Sequence, residues 1–171
     1  MNRRRQFVVL VCLGLCGVSW AQTKESAAFD RLLSLSGDWE GTFVWSGARN
    51  SSGKMTAQYY AAGNRSALVE NLTVDGPPSM TSVYHLDGSD LRMTHFCAAQ
   101  NQPRLKASAI DLDSGQITFS FVDITNLKSP TAGHVQGLDV RFLAPDHITL
   151  RFRFVGDSKD SDELIDLRRK K

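Results

Sequence analysis

Hydrophobic and polar residues follow two different periods along this chain. In the segment 23–37, the apolar residues Phe29, Leu32 and Leu33 are spaced i, i+3, i+4. This spacing predicts the apolar face of a short helix, which Gly37 can end in a left-handed conformation. After Gly37 the period falls to two, which is typical of β-strands that bury one face.

Ten short segments show the period of two, and no helical pattern separates them. They are 38–45, 55–61, 66–73, 80–86, 91–98, 104–110, 116–122, 135–143, 147–155 and 163–168. Turn-forming dipeptides lie between several of them: Gly63-Asn64, Asp75-Gly76, Asp87-Gly88, Ser114-Gly115 and Pro145-Asp146. The pattern predicts an all-β fold, namely an antiparallel up-and-down β-barrel of about ten strands behind a short N-terminal helix. The connection 123–133 is longer than the others, which is typical of lids and mobile loops.

The turn at Asp87-Gly88 indicates which face of the neighbouring strands points inward. A tight turn there places His95 and Cys97 on the same face as Tyr84, while Arg92 lies on the other face. Because a slip of one residue would bury Arg92, we predict that His95 and Cys97 point into the barrel. Further inward positions on the next strand would be Leu105, Ala107 and Ala109.

The first 21 residues have the layout of a secretory signal peptide. Arg3, Arg4 and Arg5 precede an apolar run at 7–18, and Ser19-x-Ala21 supplies the small residues of a cleavage site. The apolar run is shorter than the ~20 residues that cross a bilayer. We therefore predict a signal peptide at 1–21 and one barrel domain at 22–171, exported to the periplasm or the outside of the cell.

Charge and cysteine content change once the predicted signal is removed. The full chain has 20 Lys+Arg and 18 Asp+Glu, and three of the arginines lie in the signal, so residues 22–171 carry a net charge of −1. This balance does not favour a nucleic-acid partner. Cys97 is the single cysteine after the signal, so no internal disulfide is expected. We expect a monomer without a membrane span.

The segment LSGDWEGTF at 35–43 resembles the lipocalin and calycin superfamily, in which Gly-x-Trp opens the first barrel strand after a short helix. The resemblance implies a barrel in which Trp39 closes one end. It also implies that a basic residue of a late strand covers this tryptophan, and Arg168 is the residue that matches here.

A second resemblance covers the segment VYHLDGSDLRMTHFCAAQNQPRLKA at 83–107. It is similar to a group of exported bacterial β-barrel proteins without an assigned activity, whose pattern is Tyr-His-x-Asp-Gly, Leu-Thr-His-Tyr-Cys and Asn-Gln-Pro-Arg. Met93 and Phe96 replace the usual Leu and Tyr, and Ser79 stands where the group often has an acid. The resemblance therefore implies a family but no function.

The leading hypothesis is a barrel that binds a small apolar or amphipathic molecule in its interior. Apolar walls with a few polar groups are typical of such sites. The residues 101–104 are interpreted as a turn, which would place Arg104 at the barrel rim, where it could meet a ligand carboxylate. The candidate ligand-binding residues are His95, Cys97, Tyr84, Met93, Arg104 and Trp39.

We predict no catalytic residue, no metal ligand and no cofactor. His95 and Cys97 have the spacing of two ligands on one strand, but a third ligand is missing nearby. A thiol in an apolar barrel has a raised pKa, which does not favour a nucleophile.

Three alternatives stay open. Nitrobindin-like barrels share the ten-strand shape and bind haem through an inward histidine, and this resemblance implies His95 as the axial ligand. An enzyme could instead use His95 with Tyr84 or Glu70 in acid–base catalysis. A secreted interaction or inhibitor module would act through its loops.

Overall fold

The computed structural model describes residues 22–156, 158 and 160–171. The predicted signal peptide lies outside these residues. The described chain forms one helix and ten strands: α1 Lys24–Leu33, β1 Gly37–Gly47, β2 Ser52–Ala62, β3 Ala67–Thr73, β4 Met80–Asp87, β5 Asp90–Phe96, β6 Gln102–Asp111, β7 Gln116–Thr125, β8 His134–Ala144, β9 His147–Val155 and β10 Ser161–Arg169.

The ten strands close into one antiparallel barrel. Each strand pairs with its neighbour in the sequence, and β1 pairs with β10 to complete the ring. Closure leaves no edge strand, because each strand has a hydrogen-bonded neighbour on both sides. The predicted up-and-down barrel of about ten strands with a short helix before it is confirmed. No helix in the described part of the chain is long and apolar enough to cross a membrane.

Local sequence sets the limits of α1. Thr23 caps its start, where the Oγ1 atom accepts a hydrogen bond of 3.1 Å from the backbone N–H of Ser26. The helix ends at Leu33, and Ser34 follows as its C-cap. The predicted helix end at Gly37 is therefore wrong. This glycine has a φ of +128°, but it opens β1 instead of ending the helix.

α1 covers one end of the barrel, which we call the helix end. It packs against β4, β5 and β6, and its predicted apolar face is buried, including Phe29 and Leu32. Arg31 donates a 2.7 Å hydrogen bond to the carbonyl of Leu112 and lies 4.6 Å above the ring of Phe142. The opposite end, called the loop end, is formed by the connections 48–51, 74–79, 97–101 and 126–133 and by residues 156, 158 and 160 between β9 and β10.

Trp39 is buried at the helix end, where a basic residue covers it. Its Nε1 donates to the carbonyl of Leu35 at 2.8 Å, and the guanidinium of Arg169 lies 4.4 Å from its ring centre. Arg169 also donates to the carbonyl of Ser36 at 2.7 Å. The prediction that Arg168 covers Trp39 is therefore wrong, since Arg169 does so. Because the odd-numbered residues of β10 point inward, Arg168 lies exposed on the outer face.

The β4–β5 hairpin has the predicted facing but a different register. Asp87 pairs with Asp90, so the turn begins at Gly88, whose φ is +60°. A positive φ at the first central position is what a tight hairpin turn requires. The register differs from the predicted one by two residues, which keeps every side chain on its predicted face. Met93 and His95 are buried accordingly.

The turn between β5 and β6 lies earlier than predicted. The backbone N–H of Gln100 donates to the Cys97 carbonyl at 2.9 Å, and the N–H of Cys97 donates to the Asn101 carbonyl at 3.1 Å. Gln100 has a φ of +64°, so the reversal is at 97–101. Pro103 and Arg104, predicted in the turn, lie inside β6.

A β-bulge changes the facing of β6. Leu105 is buried and Ala107 half-buried, as predicted, but the register shifts between Ala107 and Ala109. Ala109 is therefore exposed, and Ile110 packs against the core instead. The predicted inward position of Ala109 is wrong. Large side chains fill the barrel interior, the bulkiest being Trp39, Tyr59, Tyr84, Phe119 and Phe152.

Candidate functional site

A row of polar side chains crosses the barrel interior on four adjacent strands. Tyr59 of β2 pairs with Glu70 of β3, Glu70 with Ser82 of β4, and Ser82 with His95 of β5. Directly opposite residues on neighbouring strands bring their side chains into contact distance. All four side chains are buried. We call these residues, together with Tyr84, the polar row.

Hydrogen bonds link the polar row into two groups. The hydroxyls of Tyr59 and Tyr84 donate to Glu70 Oε2, at 2.8 and 3.2 Å. Ser82 Oγ lies 3.0 Å from His95 Nδ1. Glu70 Oε1 and His95 Nε2 have no hydrogen-bond partner among the described residues. A buried polar atom without a partner costs about 1–3 kcal/mol, so the row is not fully satisfied by protein groups.

Burial determines the charge states of the polar row. It lowers the pKa of His95 from 6.5 to about 4, so the imidazole is neutral at neutral pH. Burial also raises the pKa of Glu70, against the lowering effect of the hydrogen bonds from Tyr59 and Tyr84. The pKa values of Tyr59 and Tyr84 are raised by burial and by the nearby Glu70 carboxyl. The row therefore favours uncharged side chains.

A cavity of about 210 Å³ opens at the loop end, above the polar row. The cavity is nearer the loop end than the polar row is. Its lining residue Met80 is two residues closer to that end than Ser82, and Cys97 is two residues closer than His95. Phe152 contacts both regions, since it lines the cavity and its ring centre is 5.0 Å from that of His95. The walls are mainly apolar and include Trp45, Met80, Val135, Phe152, Phe154 and Cys97.

Two charged side chains also line this cavity. The guanidinium of Arg49 lies 4.5 Å from the ring centre of Trp45 and 3.9 Å from that of Phe154. Glu163 projects inward from β10 and is only 3% exposed. Burial raises the pKa of Glu163 to about 7, while the charge of Arg49 and a hydrogen bond from Trp45 act in the opposite direction. Burial raises the pKa of the Cys97 thiol as well.

Five of the six predicted ligand-binding residues fall in three separate places. His95 and Tyr84 belong to the polar row, and Met93 is packed beside Tyr84 as its cross-strand partner. Cys97 lies in the loop-end cavity. Trp39 is part of the core at the helix end. The structure thus brings His95, Tyr84 and Met93 together and leaves Cys97 as the single predicted residue on the cavity wall.

Arg104 lies apart from His95, Tyr84, Cys97 and Trp39, and it shares with Met93 a separate pocket lined by residues of β4 to β7. Leu105 takes the inward position on β6, so the side chain of Arg104 points away from the interior and is exposed. Its Nη2 donates to Asp123 Oδ2 at 2.7 Å, on the outer face of β7. The carboxylate that it meets in the structure is therefore one of the chain's own.

Several residues of the site were missed at the level of sequence. The sequence does indicate that Glu163 points inward, because it alternates with the same spacing of two as Ile165 and Leu167 on β10. Ser82 has the same parity as Tyr84. Arg49 shows no such signal, since it lies in a loop, where side-chain direction has no period.

The residues around His95 do not fit a haem. An axial ligand needs free space beside His95 Nε2 for the iron and the flat macrocycle. The imidazole is instead fully buried against the ring of Phe152, and His95 is not among the residues that line the cavity. Among the described residues, no group of three or more His, Cys, Asp or Glu side chains could hold a metal ion.

Comparisons with known proteins support the fold and do not assign a family. No protein-family model and no curated protein matches the chain. A protein of unknown function of the DUF3598 family from Nostoc punctiforme has a similar structure, with a TM-score of 0.56 and 16% identity over 80% of this chain. Rv2717c from M. tuberculosis has a TM-score of 0.53 and 19% identity over 84% of this chain.

The two structures differ in how much of their own length is matched. This chain spans 48% of the DUF3598 protein and 98% of Rv2717c. At such low identities the likeness concerns the fold alone. Together with the closed ring of ten strands, it fits a calycin-like β-barrel.

Proposed function

We propose that this chain is an exported, monomeric β-barrel protein that binds a compact apolar or amphipathic molecule in the loop-end cavity. The observation that carries the proposal is the cavity itself. It has about 210 Å³ of space, walls made largely of aromatic and aliphatic side chains, and two charged groups. Apolar walls provide affinity and a few polar groups provide orientation.

The size of the cavity limits the ligand. Ligand pockets usually enclose roughly 300–1,000 Å³, and an apolar cavity of about 150 Å³ is enough for benzene. The loop-end cavity lies between these values, so it suits a single ring or a short aliphatic chain. The interior site expected around His95 is less favoured, because the side chains of the polar row and the core occupy that space.

Filling the cavity should abolish binding of a small aromatic probe. Ala99 lines the cavity from the turn after β5, and Ala99→Trp would place an indole inside it. We expect benzyl alcohol to bind the original protein in calorimetric titrations and to slow maleimide modification of Cys97, which shares the cavity wall. Both effects should be lost in Ala99→Trp.

The matched control places the same bulk at the other end of the barrel. Ala62 is half-buried at the end of β2, near the helix end, so Ala62→Trp should leave probe binding unchanged. If benzyl alcohol protects Cys97 equally in both variants, or binds neither the original protein nor Ala62→Trp, the proposed cavity is not a binding site.

Export rests on the first 21 residues. The arginines, the apolar run and Ser19-x-Ala21 favour cleavage after Ala21. Protein recovered from outside the cytoplasm should therefore have the intact mass of a chain that begins at Gln22. A chain that retains Met1 would contradict the proposed export by this route.

A further inference from the structure

We infer that the loop-end cavity selects small molecules that carry a carboxylate, and that Arg49 binds this group at the mouth. The inference rests on the proposed ligand-binding function and adds the chemical class of the ligand. It depends on the placement of the two charged side chains in an otherwise apolar cavity.

Arg49 is held in place by ring contacts and keeps its hydrogen-bond donors. Its guanidinium lies over Trp45 and Phe154, with its central carbon 4.5 and 3.9 Å from the two ring centres. The planes of the two rings are 84° apart, so the guanidinium can stack on only one of them. A cation–π contact does not use the N–H groups in hydrogen bonds to oxygen. Within residues 22–156, 158 and 160–171, the guanidinium makes no hydrogen bond or ion pair.

A fixed arginine with free edge donors matches a planar anion. Its parallel N–H groups can donate two hydrogen bonds to the two oxygens of one carboxylate. Trp45 and Phe154 would hold the apolar part of the same molecule, because they line the cavity and their rings contact Arg49. A ring or short chain with a carboxylate at one end therefore satisfies both parts of the site.

Glu163 is the acidic group that shares the cavity wall with Arg49, whose charge acts on it. The titratable groups that line the cavity are Arg49, Cys97 and Glu163. The carboxylate of Asp160, in the neighbouring connection, accepts a hydrogen bond from the Gly156 N–H and is not a lining group. The charge of Glu163 therefore decides how much of the positive charge of Arg49 is left for a ligand.

The ionisation of Glu163 makes binding depend on pH. Because its pKa is raised to about 7, Glu163 is mainly uncharged below neutral pH, and Arg49 is then the one charged group of the cavity wall. As the pH rises through 7, Glu163 becomes an anion that repels a bound carboxylate and attracts Arg49. Affinity for a carboxylate should therefore fall with rising pH, and affinity for an uncharged analogue should not.

Three probes of nearly the same shape test the charge preference. Benzoate, benzyl alcohol and benzylammonium differ mainly in charge, so calorimetric titration of each separates the head group from the ring. At about pH 6 benzoate should bind at least about tenfold more tightly than benzyl alcohol, since hydrogen bonds to charged groups are among the strong ones. Benzylammonium should bind most weakly. Between about pH 6 and pH 8 the benzoate affinity should fall at least about fivefold, the low end of typical coupling between sites.

Variants identify the residues responsible. Arg49→Gln should remove the preference for benzoate, and Arg49→Lys, which keeps the charge without the planar fork, should retain part of it. Glu163→Gln should remove the pH dependence and keep the preference. Arg153→Gln is the control, because Arg153 is an exposed arginine of the same end on the outer face of β9. It should change neither property.

The outcomes separate this inference from the proposed function. If benzyl alcohol binds and benzoate is no tighter, or if Arg49→Gln keeps the preference, the carboxylate inference is overturned and the cavity remains a site for uncharged molecules. If benzylammonium binds best, the inference is overturned as well. If none of the three probes binds, the proposed function fails and the inference fails with it.

Discussion

Gly41→Ala should destabilise the barrel by at least about 3 kcal/mol, because the added methyl group meets backbone rather than side chains. Gly41 lies on β1 opposite Leu167 of β10, at the seam that closes the ring. A Cβ atom there would be 1.8 Å from the carbonyl oxygen of Asp166 and 2.8 Å from its carbonyl carbon. Relief requires β1 and β10 to move apart, which weakens the hydrogen bonds of the seam. Urea unfolding followed by far-ultraviolet circular dichroism measures the change.

Gly137→Ala is the matched control for this prediction. Gly137 also lies in a strand, β8, but the nearest atom to its added Cβ is the Phe119 carbonyl oxygen at 3.3 Å. A shift of a few tenths of an ångström relieves this contact, so the loss should stay below about 1 kcal/mol. Equal losses for the two variants would mean that the β1–β10 seam is not closed as the structure has it.

The ring of strands is the part of the structure that the sequence predicts well. A strand with one face in the core must alternate, and a tight reversal needs glycine or asparagine, so both features leave local marks. Gly63, Gly76, Gly88 and Gly115 all have positive φ values at predicted turns. Even where the β4–β5 register differs by two residues, the facing of His95 is correct, because parity depends only on the alternation.

Features that depend on how a strand pairs with its neighbour in the sheet were not predictable. The bulge between Ala107 and Ala109 is a mismatch between β6 and β7, and nothing in the β6 segment alone marks it. The same limit applies to the contact between Trp39 and Arg169, where an error of one residue exchanges an inward side chain for an outward one. A period-two pattern has no tolerance for such an error.

The candidate site was less predictable than the fold. The cavity is assembled from segments far apart in the chain, including the loop that carries Arg49, the turn after β5 that carries Cys97, and β10, which carries Glu163. Only closure of the barrel brings them to one end. The alternation of β10 predicts that Glu163 points inward, but nothing in the sequence predicts that it shares a cavity with Arg49.

His95 should control how the stability of the barrel responds to acid. Its pKa is about 4 in the folded protein and 6.5 for an unburied histidine. Between these values the unfolded chain binds more protons than the folded one, so stability is lost as the pH falls from 6.5 to 4. The difference corresponds to about 3 kcal/mol at 1.36 kcal/mol for each unit of pKa. Burial without an opposing charge is the cause of the lowered value.

Two buried carboxyls act in the opposite direction. The pKa of Glu163 is raised to about 7 and that of Glu70 is raised from 4.5, so the folded protein holds these protons more tightly than the unfolded chain. Their contributions destabilise the fold above pH 4.5, and stability is regained as the pH falls through the folded pKa of each group. The change in the stability of the whole protein with pH is therefore the sum of contributions of opposite sign. Comparing variants with the original protein is needed to measure the contribution of His95 alone.

His95→Leu removes the histidine contribution and keeps an apolar group against Phe152. At pH 7 the effect should stay within about 1 kcal/mol, because the variant loses the contact with Ser82 but also removes the unpartnered Nε2. At pH 4 the variant should gain about 3 kcal/mol relative to the original protein. Urea unfolding of both proteins at the two pH values gives this difference. The control is His85→Leu, which removes a half-buried histidine from the outer face of β4. Its change in stability between the two pH values should be much smaller.

The result also decides between the interpretations of His95. A shift of the expected size means that the imidazole stays neutral in a dry interior, where its Nε2 meets no proton donor strong enough to charge it. A shift near zero would mean that His95 is protonated in the folded barrel as readily as outside it. Water or a ligand would then reach the polar row, with Glu70 as the nearest acid of the row. In that case acid–base chemistry between His95 and Glu70 would become the better hypothesis, and the loop-end cavity would be the entrance to the polar row.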